Sequence, residues 1–112
     1  MILMPSEAFI KELRHCLDAD RVCVDAESRA IYGRDWTQLY APNPSVVVFP
    51  KTTEEVQGCV KICGKHQVPI VPSGGRTGLA GGAVATNGEL VLSFEKMNEI
   101  GEVSSLSRTV RV

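Results

Sequence analysis

The stretch with the clearest chemical potential is Pro72-Ser73-Gly74-Gly75-Arg76-Thr77-Gly78-Leu79-Ala80-Gly81-Gly82, which holds five of the ten glycines. Ordering a glycine gives up much backbone freedom. Such a density is therefore expected where backbone takes positive φ or lets another group come close. Successive glycine amides can converge on one point as an anion-binding nest. Arg76 adds a positive charge and Thr77 a hydroxyl, both suited to phosphate oxygens. A flexible solvated linker is the plainer alternative. Apolar flanks (Val68 to Val71, Leu90 to Phe94) and the apolar Leu79 and Ala80 inside the loop argue against it.

Other reactive residue types carry less. Cys16, Cys23, Cys59 and Cys63 form no CxxC pair, which speaks against zinc and thioredoxin-like chemistry. Cys59 and Cys63 lie one helical turn apart and continue an apolar stripe with Val56 and Val60, so they read as buried core thiols. His15 reads as a surface residue and His66 as a helix-end residue. No metal site and no catalytic residue is assigned.

The loop fits neither common phosphate fingerprint. Walker A needs a lysine after its glycine, and the Rossmann G-x-G-x-x-G is absent because the glycines fall at 74, 75, 78, 81 and 82. The bulk numbers bound the rest. At 112 residues the chain is one domain or part of one, and its net charge of -1 gives no footprint for nucleic acid. No apolar run reaches membrane-helix length, and the start through Pro5 is too short for a signal peptide. Four cysteines without secretory features suggest reduced thiols and a cytoplasmic setting.

The elements that must position the loop follow from periodicity. Phe9, Leu13, Cys16 and Leu17 predict an amphipathic helix over 6–18, capped by Ser6. Val22 to Val24 reads as a brief extended piece. Asp25 caps a short helix over 26–32, ended by Gly33. Pro42 and Pro44 keep the following stretch irregular, and Trp36 and Tyr40 are expected to pack in the core, with ligand contact as the alternative. Val46-Val47-Val48-Phe49 reads as a strand buried on both faces. Thr52 and Glu55 form a capping box for a helix to about residue 66, with Val56, Cys59, Val60 and Cys63 as its buried stripe. Val68 to Val71 is the next strand, making a βαβ unit whose loop leaves the carboxyl edge where ligands of parallel sheets bind. Asn87-Gly88 marks a turn before a strand over 90–94, and two short strands are expected at 100–103 and 109–112. The fold class is α+β with an α/β-type first subdomain, a small parallel βαβ sheet flanked by helices.

Four pieces, taken together and in order, resemble the FAD-linked oxidase family, the vanillyl-alcohol-oxidase or PCMH-type FAD domain. They are Asp35-Trp36-Thr37, Pro50-Lys51-Thr52-Thr53-Glu54-Glu55-Val56, Val71 through Gly82, and Leu92-Ser93-Phe94-Glu95-Lys96-Met97-Asn98. Within it the chain is most similar to the start of D-2-hydroxyacid dehydrogenases of the D-lactate, D-2-hydroxyglutarate and glycolate oxidase subunit types. The resemblance implies that loop 72–83 wraps the FAD pyrophosphate. Gly74, Gly75, Arg76, Thr77 and Gly78 would line the phosphates, with Gly82 and Ala83 closing the far side. It places Pro50 toward the adenine end. Some relatives attach flavin through a histidine after the paired glycines; Arg76 stands there, so the implied FAD is non-covalent. The implied reaction takes the hydroxyl proton of a D-2-hydroxy acid to a base and the Cα hydride to flavin, with a quinone or electron-transfer protein as later acceptor.

The same resemblance implies an organisation. Residues 1–45 form an N-terminal helical and irregular segment, 46–98 the first FAD-binding subdomain, and 99–112 the start of a second, so the chain reads as truncated and inactive alone. Unpaired edges near 100–112 invite self-association. Peripheral membrane contact through later segments stays open. The residues by themselves also admit a non-catalytic anion or nucleotide module, or an inert fragment whose glycines only join strands.

Overall fold

A computed structural model describes residues 5–112; the leader reading of the first residues falls largely outside them. Helix α1 (Glu7–Cys16) starts where Ser6 Oγ accepts the Phe9 N–H at 3.2 Å. A 3-10 turn (Ala19–Arg21) leads into β1 (Val22–Cys23). Asp25 caps α2 (Ala26–Tyr32) by accepting the Ser28 N–H at 2.8 Å, and Gly33 ends it. Then come β2 (Val46–Val48), α3 (Thr53–His66), β3 (Ile70–Ser73), β4 (Leu90–Ser93), β5 (Val103–Ser104) and β6 (Thr109–Val110).

The main sheet has the order β1-β2-β4-β3. β2, β4 and β3 run parallel, with both Val46 and Ile70 opposite Leu90. The expected β2–α3–β3 unit is present, but β4 inserts between its strands, and β1 adds an antiparallel edge. The sheet is therefore mixed rather than wholly parallel. β3 begins two residues later than expected because Val68 is used to close α3, its N–H donating to Cys63 O at 2.9 Å. β5 and β6 form a separate antiparallel hairpin whose paired residues are exposed.

Alternation along the strands builds two cores. Val46, Val48, Leu90 and Leu92 face α1 and α3, meeting Phe9, Leu13, Leu17, Cys59 and Cys63. Val47 and Val91 face the other way, against Phe49, Ala85 and the half-buried Tyr32. Every residue of β2 and β4 is buried, as a strand covered on both faces requires. Fully burying one such Leu contributes about 2 kcal/mol. Two apolar expectations change. Val60 is half exposed, and Ile62 packs against the core instead. Trp36 and Tyr40 do not pack; they are 70% and 58% exposed.

One ion pair ties three segments together. Arg21, buried, donates Nη1 to Glu55 Oε2 at 2.6 Å and Nη2 to Glu55 Oε1 at 2.8 Å. The same Nη1 donates to the Phe49 carbonyl at 3.0 Å, and Glu55 Oε2 also accepts the Lys51 N–H at 2.7 Å. Glu55 N–H donates to Thr52 Oγ1 at 3.2 Å, so Thr52 is the expected cap. The carboxylate, however, reaches back one residue further than a standard capping box, to Lys51. The guanidinium pulls the Glu55 pKa down to about 2 from 4.5.

A depressed carboxylate stabilises the fold above its unfolded pKa and loses that contribution as pH falls through the folded one. Glu55→Gln is thus expected to lose about 3 kcal/mol at neutral pH. It should also show a flatter stability-against-pH curve between pH 4.5 and about 2; urea melts by circular dichroism across that window check both. Burial pushes the thiols of Cys59 and Cys63 up to about 12 and about 11. A thiol reagent at pH 8 should therefore label the half-buried Cys16 and Cys23 and leave Cys59 and Cys63 unmodified until denaturant is added.

Candidate functional site

The glycine loop leaves β3 at its carboxyl end, beside the end of β4, where Phe94 N–H donates to Ser73 O at 2.9 Å. Its two ends are fixed. Ser73 is fully buried, and so is Ala85, whose N–H donates to Gly33 O at 2.9 Å and whose carbonyl accepts from Asn43 N–H at 2.7 Å. Between them the chain bends without helix or strand and lies mostly exposed.

The amides in that span are largely unused. Among the described residues the N–H groups of residues 74 to 80 find no acceptor, nor do those of Gly82 and Ala83. Gly81 N–H is taken by Asp35 Oδ2 at 3.2 Å, and Val84 N–H by Gly81 O at 3.1 Å. Arg76 has φ 56 and Gly81 φ 82, the left-handed steps that let neighbouring amides converge. Gly74, Gly78 and Gly82 differ: none has a left-handed φ, and a Cβ built on any of them meets nothing within 4 Å. Neither conformation nor packing inside the chain accounts for glycine there. Each of the three is open to close approach from outside the chain. Ser73 Oγ, buried at the loop's root, also has no hydrogen-bond partner among the described residues.

Around the loop, side chains set orientation and charge. Arg76, half-buried, lays its guanidinium over the Tyr32 ring, 4.4 Å from the centroid. Tyr32 OH in turn donates to Glu95 Oε2 at 2.5 Å, and that carboxylate raises the phenol pKa. Thr77 is exposed and Ala83 half-buried. A cleft of about 170 Å³ opens between Gly75–Arg76 and the turn Arg34-Asp35-Trp36. Arg34 and Arg76 both line it, and neither is in an ion pair among the described residues. Larger clefts of about 350 and 450 Å³ flank α1, at residues remote from the loop in the fold.

The structure thus brings Gly74, Gly75, Arg76, Thr77, Gly78, Gly82 and Ala83 together on one loop. Pro50 is fully buried at the exit of β2 and does not present itself to a ligand. His15 is exposed, and His66 pairs with Glu12 at 3.1 Å, as a helix-end residue does. The described residues hold no cluster of metal-ligating side chains and no helix long and apolar enough to cross a membrane. Periodicity missed Asp35 and the Tyr32–Glu95 pair. Asp35-x-Thr37 is a legible side-chain turn signal; Tyr32 and Glu95 are 63 residues apart and carry no local signal.

Comparison with known proteins gives the family of the chain. Residues 44–112 match the family described as FAD binding domain. The chain is 49% identical over 106 residues to a D-2-hydroxyglutarate dehydrogenase of Stutzerimonas stutzeri (strain A1501), covering 95% of this chain and 23% of that protein. It is 42% identical to a glycolate oxidase subunit of Bacillus subtilis (strain 168), covering 75% of this chain and 18% of that one. Among solved structures it superposes on p-cresol methylhydroxylase with a TM-score of 0.71 at 30% identity, over 87% of this chain and 20% of that chain. The site and fold define a flavin-binding α+β domain of the PCMH type. The chain belongs to the FAD binding domain family, and it spans under a quarter of the length of the curated relatives it matches.

The geometry separates two kinds of glycine. Gly78→Ala, with open space and ordinary φ, should leave stability unchanged or raise it by about 0.5 kcal/mol. Gly81→Ala, forced to hold φ 82, should lose about 1 kcal/mol. Thermal melts of the two variants beside the parent check the contrast.

Proposed function

We propose that loop 72–83 holds the pyrophosphate of a non-covalently bound FAD through main-chain amides of Gly74, Gly75, Arg76, Thr77, Gly78, Gly82 and Ala83. One observation carries the reading: a run of unpaired amides, fixed at both ends, at glycines whose missing side chains leave room only for something outside the chain. Two unpaired guanidinium groups beside it favour an anion. Arg76 occupies the position where a histidine would be needed for covalent attachment, and a guanidinium forms no such bond.

When bound, FAD supplies the two-electron acceptor chemistry. This chain's own residues bind and orient. The amides compensate the two phosphate charges, and Tyr32 and Glu95 hold Arg76 against the loop. The whole protein, on this reading, oxidises a small D-2-hydroxy acid and passes electrons to a quinone or an electron-transfer protein. Residues 46–98 then act as the first FAD subdomain and 99–112 as the start of the second, with 1–45 packed alongside. A cytoplasmic or peripheral-membrane setting accords with such an acceptor.

Amide NMR of the isotope-labelled chain titrated with FAD, ADP, inorganic pyrophosphate and FMN tests the cradle. Residues 74–83 should shift with the three diphosphates, and FMN should bind at least about tenfold more weakly, since a lost charge-assisted contact is worth that much. Gly78→Val should weaken the diphosphates similarly. Shifts elsewhere only, or equal affinity for FMN and for the valine variant, would sink the reading. For the reaction, the whole protein should reduce a dye acceptor with D-2-hydroxyglutarate and not with the L-enantiomer.

A further inference from the structure

We propose that Asp35 is a positioning residue for the diphosphate cradle, holding the glycine loop in its binding shape through Gly81. The inference rests on the reading just given and adds a residue which that reading does not require. Asp35 is 5% exposed, yet no Lys, Arg or His pairs with it among the described residues. A buried carboxylate ordinarily has a cationic partner. Here three neutral donors take its place. Oδ1 accepts the Thr37 N–H at 3.0 Å and the Thr37 hydroxyl at 2.6 Å, and Oδ2 accepts the Gly81 N–H at 3.2 Å.

The partners explain the choice. Trp36 N–H donates to Gly78 O at 3.3 Å, so the turn 35–37 grips the loop twice, once at each side of Leu79-Ala80. One grip fixes a carbonyl and the other an amide. Between them they set the 78–79 and 80–81 peptide planes, the second of which leads into Gly81 and on to Gly82. Gly81 sits at φ 82, a conformation with little local preference behind it, and the carboxylate supplies the external constraint. A negative charge near an anion site is unfavourable by itself. Its presence beneath the loop therefore indicates that the shape it imposes outweighs the repulsion it adds.

That opposition gives a test with a sign. Asp35→Asn removes the charge but offers one acceptor oxygen where the carboxylate offers two. If charge dominated, pyrophosphate would bind the variant more tightly; if positioning dominates, more weakly. The expected result for the labelled chain is at least about tenfold faster hydrogen exchange at Gly81, with unchanged exchange in β2 and β4. Pyrophosphate affinity should fall about tenfold. Thr37→Val keeps the carboxylate and removes one of its locks, so it should move both readouts the same way by less, and it serves where the Asn variant folds poorly. Unchanged Gly81 exchange, or equal or tighter pyrophosphate binding in Asp35→Asn, would overturn the proposal. A parent loop that ignores pyrophosphate while Gly81 exchange still depends on Asp35 would reject the diphosphate reading and retain the anchor.

Discussion

The fold depends on the grip of Arg21 on Glu55. Three separate stretches end at that point: the turn before β1, the exit of β2 at Phe49, and the entry to α3 at Lys51. Two of them leave a backbone polar group there: the guanidinium takes the Phe49 carbonyl and the carboxylate takes the Lys51 amide. Removing a guanidinium from water costs several kcal/mol, and Arg21 Nε has no partner among the described residues. The pair is favourable only because its geometry is bidentate and the carboxylate is also fed by a main-chain amide. What it secures is the relative placement of β2 and α3. That placement sets the sheet edge from which the glycine loop departs.

The order of strands decides what kind of site that edge can carry. With β4 between β2 and β3, the loop leaves an outer strand and has a neighbour on one side only. β4 contributes that neighbour, ending at Ser93 opposite Ser73 and continuing to Glu95. Glu95 reaches Tyr32 at the end of α2, and Tyr32 supports Arg76. The second face of the sheet is therefore joined to the loop through one aromatic ring, which packs edge-on against Phe49 in the core at 4.9 Å between centroids. Site and core share a side chain, and motion of Arg76 is limited by the packing of β2.

Much of this was legible from residues alone, and the boundary falls along sequence distance. Ser6, Asp25 and Thr52 were readable as caps because a cap is a contact across three residues. The doubly buried β2 followed from an unbroken apolar run. The glycine loop stood out by composition. The insertion of β4 was not readable, since any parallel pairing of β2, β3 and β4 satisfies the same patterns. Val60 and Ile62 exchanged places because both lie near the edge of the α3 stripe, and the position of α1 decides which is covered. The exposure of Trp36 accompanies the hydrogen bond that holds its backbone to Gly78 O, a long-range contact with no local sequence signature.

Order and openness are balanced within the loop itself. A wholly flexible glycine loop would have to be ordered when an anion arrived, at about 1 kcal/mol or more for each residue fixed. A loop whose amides were all paired internally would be ordered but would have nothing to offer. This loop avoids both. Ser73, Gly78, Gly81 and Ala85 are fixed through a buried root, a carbonyl, an amide and a core methyl respectively. Among the described residues the amides between these points stay free, apart from Val84 N–H, which donates to Gly81 O. Much of the ordering is thus carried by folding rather than by binding, which is how a stretch so rich in glycine can keep a defined shape without spending its donors on itself.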